Sequence, residues 1–236
     1  MSGRPTITIS LVELEDLPAI SKIQVLALDS NPIDLRIAPL DVRAPLEVRV
    51  RHVMYARRKQ LLHPRPDAVM LKAVISSPEI ESTPAGFAVW MTPVDRTATS
   101  GEFTAEEKQQ MDSIPEEMID KEIEDEICRH TDQGFVKEFR IKLAERRKAH
   151  FGGNPFWYLQ MLVVHPSYQR MGVGRELMSS GLSRADESSL PTYVEATMRG
   201  LPVYEKTGFR VVGHVEFGGD IDKFLMPVMI RNPKRL

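Results

Sequence analysis

The chain has 236 residues and a single cysteine, Cys128. That excludes an internal disulfide framework and any cysteine-based zinc site. The histidines form no spaced cluster, so no metal is expected. No run of residues reaches the roughly 18 apolar positions that a membrane span needs. The first residues, Met1-Ser2-Gly3-Arg4-Pro5, lead into an alternating segment instead of an apolar signal core. Neither sign of charge dominates. The net charge of −2 gives no reason to expect nucleic acid or an anionic membrane as partner. Internal repeats and low-complexity segments are also missing. What remains is the composition of a soluble globular protein. The expected location is cytoplasmic, with the nucleus equally compatible. The length is somewhat above one usual domain and not clearly two.

What is present begins with a half-buried strand over Thr6 to Leu11, where Ile7, Ile9 and Leu11 alternate with threonine and serine. Asp16 is placed to cap a helix that starts near Leu17-Pro18. Asn31-Pro32 breaks that helix. A second helix is expected from Asp41 to about Leu62, with its arginines outside. Ala68 to Ile75 and Ala85 to Met91 read as strands joined by a hairpin loop. A long charged section, 93–155, follows. It holds eleven acidic residues against Lys108 and Lys121 between Gly101 and Ile127, and then turns basic. Met111, Ile114, Met118, Ile119, Ile123 and Ile127 recur there at helical spacing, so it is expected to be a helical insertion and not a disordered tail. Its acid-rich helix, Glu116–Glu126, is expected to be a solvated face, with an entrance for a cationic amine as the alternative.

The chemistry-bearing stretch runs from Trp157 to Gly174. A strongly apolar strand, Phe156 to Val164, stops at His165-Pro166. Gln169-Arg170-x-Gly172-x-Gly174 follows, and an amphipathic helix then begins and runs to about Ala185. This order makes an anion cradle: glycines allow close backbone approach, and the amides at a helix start point at the anion. Strand Thr192 to Ala196 completes a βαβ unit with parallel strands. A short helix over Leu201 to Lys206, with Gly208 as its C-cap, and a closing hairpin of Phe209 to Glu216 with Phe224 to Arg231 end the chain.

Two segments together resemble the GNAT superfamily of acetyl-CoA-dependent N-acetyltransferases. One is Leu159-x-x-Leu162-x-Val164-x-Pro166-x-x-Gln169-Arg170-x-Gly172-x-Gly174. The other is Tyr193-Val194-Glu195-Ala196-Thr197 followed by Gly200-x-x-Val203-Tyr204-x-x-x-Gly208-Phe209. The resemblance implies one α/β (α+β) domain over 1–236 with a GNAT-like fold. That fold has a mixed, mostly antiparallel sheet of about seven strands, a parallel fourth and fifth strand pair, flanking helices, and the 93–155 insertion before the fourth strand.

The resemblance further implies transfer of an acetyl group from acetyl-CoA to a primary amine, small-molecule or peptide, by direct attack in a ternary complex. No metal is involved. Gln169, Arg170, Met171, Gly172, Val173, Gly174 and Arg175 would hold the pyrophosphate of CoA. The backbone of Leu162, Val163 and Val164 would pair with the pantetheine arm, and one amide there would face the thioester oxygen. Thr197 would lie near the pantetheine, where relatives often have asparagine or serine. Tyr204 matches the family's tyrosine and would protonate the departing thiolate. A free thiol has a pKa of roughly 8.5 and tyrosine of about 10, so a phenol held near sulfur is a usable acid.

The general base stays open. Glu195, a water relay and a group from the insertion are all compatible with the sequence. Gln160 stands where many relatives place a carboxylate, and an amide cannot serve as a base. A CoA-binding regulatory or interaction protein that has lost transfer is the alternative reading.

Overall fold

The computed structural model describes residues 5–62, 68–93, 120–218 and 223–234. Period-two apolar patterning makes β1 (Thr6–Leu11), which is partly exposed along its length. Near-continuous apolar runs make β2 (Ala68–Ser77) and β3 (Ile80–Met91), both covered by helices. β4 (Trp157–Val164), β5 (Thr192–Glu195), β6 (Arg210–Phe217) and β7 (Phe224–Arg231) complete a seven-stranded sheet. Its order is β1-β2-β3-β4-β5-β7-β6, antiparallel except between β4 and β5. This is the sheet that the resemblance implied.

Helices cover both faces. On one side lie α1 (Leu17–Leu28) and α3 (Leu46–Leu62), with the short α2 (Pro32–Ile37) between them in sequence. Ile20 and Ile23 of α1 pack there with Phe87, Val89 and Val163 of the sheet. On the other side α6 (Val173–Glu187) buries Val173, Leu177, Met178 and Leu182 against Trp90, Leu159 and Val194. Between β3 and β4 come α4 (Lys121–Arg129) and α5 (Gln133–Phe151). Phe135, Leu143 and Phe151 of α5 join Tyr158, Tyr193, Phe217 and Val228 in a third cluster. The remaining short helix is α7 (Leu201–Lys206). None of the described helices is long and apolar enough to cross a membrane.

Several expectations need correction. The helix expected from Asp41 starts at Leu46, immediately after Pro45, whose ring and missing N–H suit a helix start and not its interior. The β2–β3 loop is shorter than expected, because pairing continues to Ser77↔Ile80. It survives Pro84 through a register shift that leaves Ala85 unpaired. Asp16 makes no side-chain cap on α1. Its own backbone is already helical, and its carboxylate accepts from the Glu13 amide at 2.7 Å and from Lys72 at 2.6 Å.

The acid-rich helix is described from Lys121, and it does not present a purely solvated face. Glu124 accepts from Tyr55 and Lys59, each at 2.8 Å. Glu126 meets Arg51 at 2.5 Å and His52 at 2.9 Å. The arginine-rich outer side of α3 is thus partly the seat of α4. Met111, Ile114, Met118 and Ile119 lie outside the described residues.

Gly181 marks where α6 comes closest to the sheet. A Cβ there would lie 2.0 Å from Cε2 of the fully buried Trp90. Gly181→Ala is expected to cost about 1–3 kcal/mol through overpacking. Urea unfolding checks this as a lowered midpoint at unchanged slope.

Candidate active site

Strand β4 is where the sheet stops being regular. Val89 pairs with Met161, but Trp90 pairs with Leu159, so Gln160 is an extra residue and β4 bulges there. Next to it, β4 and β5 pair only at Trp157↔Thr192 and Tyr158↔Tyr193. β5 carries on along β7 as far as Glu195↔Val228. From Leu159 onward the β5-facing edge of β4 has no strand beside it, so its backbone groups are available to an extended ligand. Leu162 and Val164 pack toward α6, and Val163 packs toward α1. Backbone contact with a ligand and side-chain packing are therefore compatible at these three residues.

Beyond β4 the chain turns through a short 3-10 segment, Pro166–Tyr168. Gln169 folds back so that its amide donates to the Val164 carbonyl at 3.2 Å. Arg170 (φ 63) and Gly172 (φ 97) are both left-handed, which glycine adopts freely and arginine only at some cost. Gly172 caps α6 with no side-chain hydrogen bond. The bond from Glu176 N–H to the Gly172 carbonyl, 3.1 Å, leaves the amides of Val173, Gly174 and Arg175 ahead of it. Next to them Arg170, Met171, Arg175 and Glu176, with Pro5 and Ile7, line an open groove of about 390 Å³. Uncapped amides, a helix dipole and Arg170 suit a phosphate-bearing ligand such as CoA, while Arg175 is paired with Glu176 at 2.9 Å.

Tyr204 comes to the same region from α7. It is 8% exposed and shares a packed cluster with Leu159 of β4 and with Val194 and Ala196 at the end of β5. Its ring meets Phe209 edge-on at 5.8 Å. Its hydroxyl makes no hydrogen bond among the described residues, and burial alone pushes its pKa up to about 12. Thr197 is occupied locally. Its hydroxyl accepts from Gly200 N–H at 3.1 Å and its carbonyl from Leu201 N–H at 3.0 Å, which shapes the turn into α7.

Glu195 lies on the opposite face of β5 from Val194. Arg147 of α5 donates to its Oε1 at 2.7 Å, and only 2% of the Glu195 side chain is exposed. Arg147 also stacks over the Tyr158 ring at 4.7 Å. Burial raises the Glu195 carboxyl above its usual range, against the opposing pull of Arg147. Tyr158 and Tyr193 are raised as well, by burial first and then by the Glu195 charge. The Tyr193 hydroxyl lies close enough to feel that charge yet has no hydrogen bond of sound geometry.

Sequence reasoning did not identify Arg147, which is one of many basic residues on α5 and carries no local signature. It also missed the α3 residues at the bulge. Gln60 donates to Gln160 Oε1 at 2.9 Å and accepts from Arg57 at 2.5 Å.

Residues 105–227, just over half of the chain, match the family model of the acetyltransferase (GNAT) domain. An uncharacterised N-acetyltransferase of Bacillus subtilis, YitH, is 38% identical over 55 residues, 23% of this chain and 19% of that protein. An acetyltransferase of Stachybotrys chartarum is 37% identical over 70 residues, 29% of this chain and 30% of that protein. The matched segments thus span well under two thirds of these relatives. Among solved structures, the histone acetyltransferase HPA2 and related acetyltransferase of Corynebacterium glutamicum superposes with a TM-score of 0.56 at 20% identity, over 100% of this chain and 99% of the other. Mosquito arylalkylamine N-acetyltransferase like 5b gives 0.53 at 11% identity, over 96% and 100%. At these identities the likeness is one of fold.

Removing Arg147 tests the buried pair. Arg147→Met would strand an enclosed carboxylate, at a cost of about 3–5 kcal/mol near neutral pH. Glu195 holds its proton more tightly folded than unfolded, so its effect on stability worsens as pH rises from the unfolded carboxyl range through the folded value. The mutant's deficit should therefore shrink toward pH 5. Denaturant titrations at several pH values read it directly, and a deficit that is flat with pH would contradict this account.

Proposed function

We propose that this chain, which belongs to the GNAT acetyltransferase family, transfers an acetyl group from acetyl-CoA to a primary amine by direct attack with both substrates bound. The observation that carries this reading is the splay of β4 from β5, with a buried phenol, unpartnered among the described residues, packed against it. The pantetheine arm lies along the open edge of Leu162 to Val164, in the position of a missing strand. Its pyrophosphate rests on the amides from Gly172 to Arg175, with Arg170 and Arg175 supplying charge. Gln169 and Met171 complete the loop, and Thr197 holds the turn facing the arm. The whole chain, 1–236, acts as one acyltransferase domain in which 93–155 is a helical insertion.

In the reaction the amine nitrogen attacks the thioester carbonyl carbon. A backbone amide of β4 stabilises the resulting oxyanion. The carbon–sulfur bond then breaks, and Tyr204 gives its proton to the thiolate. The burial that raises the phenol also desolvates the thiolate, so the thiolate's demand for the proton rises with it. The amine loses its own proton toward the Glu195 side. Glu195 is raised by burial but enclosed by Arg147 and the phenols of Tyr158 and Tyr193, which supports a water between it and the amine. Positioning supplies much of the acceleration.

A regulator that binds CoA without transfer is the second reading. It is favoured by Gln160, an amide tied to Gln60 at the bulge, where a carboxylate would serve a base. Incubation with acetyl-CoA and a broad amine panel, read as free thiol release, separates the two. Tight CoA binding with no release on any amine would reject transfer.

Within the transferase reading, Tyr204→Phe should lower kcat by about 10²-fold or more while CoA affinity changes by less than about twofold. Because Tyr204 is held near 12, wild-type kcat should show no falling limb from this group between about pH 7 and 10. Gly172→Asp should remove CoA binding, since it puts a side chain and a negative charge at a left-handed position facing the phosphate. Calorimetric titration with CoA reads both affinities.

A further inference from the structure

We propose that Arg57 is a carboxylate clamp at the acceptor side of the site, so that the amine acylated by this protein carries a carboxylate of its own. The inference rests on the transferase reading and names the substrate class for it. Arg57 sits on α3 with its guanidinium 5.9 Å from the ring centre of Phe87, which is fully buried. Its Nε donates to Gln24 of α1 at 3.1 Å, and its Nη1 donates to Gln60 at 2.5 Å. Both partners are neutral amides. Arg43, Arg49, Arg147 and Arg231 are also largely covered, and each meets a carboxylate, from Asp34, Asp29, Glu195 and Asp186 respectively. Arg57 has no such partner among the described residues. Burial lowers its pKa to about 10, with no negative group offsetting the loss, and it keeps its charge at neutral pH.

An enclosed cation without an anion is costly, and a purely structural position would be filled as well by an apolar side chain. The surroundings orient this one instead. Gln24 and Gln60 occupy Nε and one N–H of Nη1, which leaves both Nη2 hydrogens and one Nη1 hydrogen without a partner among the described residues. A carboxylate is the anion best suited to the unused donors of a guanidinium. Gln60 also links the guanidinium to the reacting centre, because its amide donates to Gln160 at the β4 bulge at 2.9 Å. A carboxylate held by Arg57 therefore lies within about 11 Å of the Gln160 side-chain oxygen along the hydrogen-bonded path, a span that an amine on the same small molecule can bridge toward the thioester.

The test uses binding, so it does not depend on turnover. The CoA-loaded full-length protein is titrated calorimetrically with N-acetylated amino acids of increasing length and size, each paired with its carboxamide. At least one acid should bind about tenfold more tightly than its amide. Arg57→Gln should abolish that preference, and Arg57→Lys should retain part of it. Equal melting midpoints for the two variants and the wild type establish that both fold. Lack of preference in every pair, no detectable binding of any acid, or a preference that survives in Arg57→Gln would each overturn the clamp. Thiol release from acetyl-CoA judges transfer separately. Release that is equally efficient with amines lacking a carboxylate would sink the clamp and leave transfer standing.

Discussion

A sheet that cannot close on itself at its centre is the constraint on which the rest of this protein depends. β4 and β5 share only two paired residues before they part, and the bulge at Gln160 tilts β4 away as they do. Backbone groups left unpaired inside a fold are costly, so such an opening persists only where the surroundings hold it. α6 supports one side through Leu177 and Met178, which are packed without exposure. α5 supports the other through Phe135, Phe151 and the ion pair from Arg147 to Glu195. Tyr204 of α7 packs at the split, in one cluster with Leu159 of β4 and Val194 of β5.

The polar groups around this opening are handled in two ways. Some are fully satisfied at a cost in desolvation, as with Arg231, which forks onto Asp186 through two 2.8 Å bonds, and with Glu195 against Arg147. Others are left incomplete near the split: the uncapped amides at the start of α6, the Tyr204 hydroxyl, and the free half of the Arg57 guanidinium. These incomplete groups differ in kind. Amides and arginines at α6 suit an anion, the phenol suits a leaving group that needs a proton, and Arg57 suits a second anion on the α1–α3 side.

The two helices described before β4, α4 and α5, pack against the rest of the fold. α4 docks on α3 through Glu124 and Glu126, and α5 reaches β6 through Lys142, which donates to the Glu216 carbonyl at 3.0 Å. The acidic and basic blocks of the sequence are in part answered by charges far away in the chain. Such surface pairs are individually weak, and their use here is to fix where α5 lies and therefore where Arg147 points.

The sequence determined what short-range periodicity and spacing can carry. Alternation marked β1, continuous apolar runs marked β2 to β4, and Gln169 to Gly174 marked the turn from a strand into a helix. The place of Tyr204 on α7 was legible because its spacing to Gly208 belongs to one turn of chain. Proline chemistry at Pro45 was equally local and was available to be read. Tertiary structure alone decided the partners of Glu195, Glu124 and Gln160, which come from residues 48, 65 and 100 positions away. No local pattern distinguishes Arg147 from its basic neighbours on α5, or Arg57 from the other arginines of α3. A guanidinium's role is set by which groups surround it once the helices pack, and that is information the fold creates.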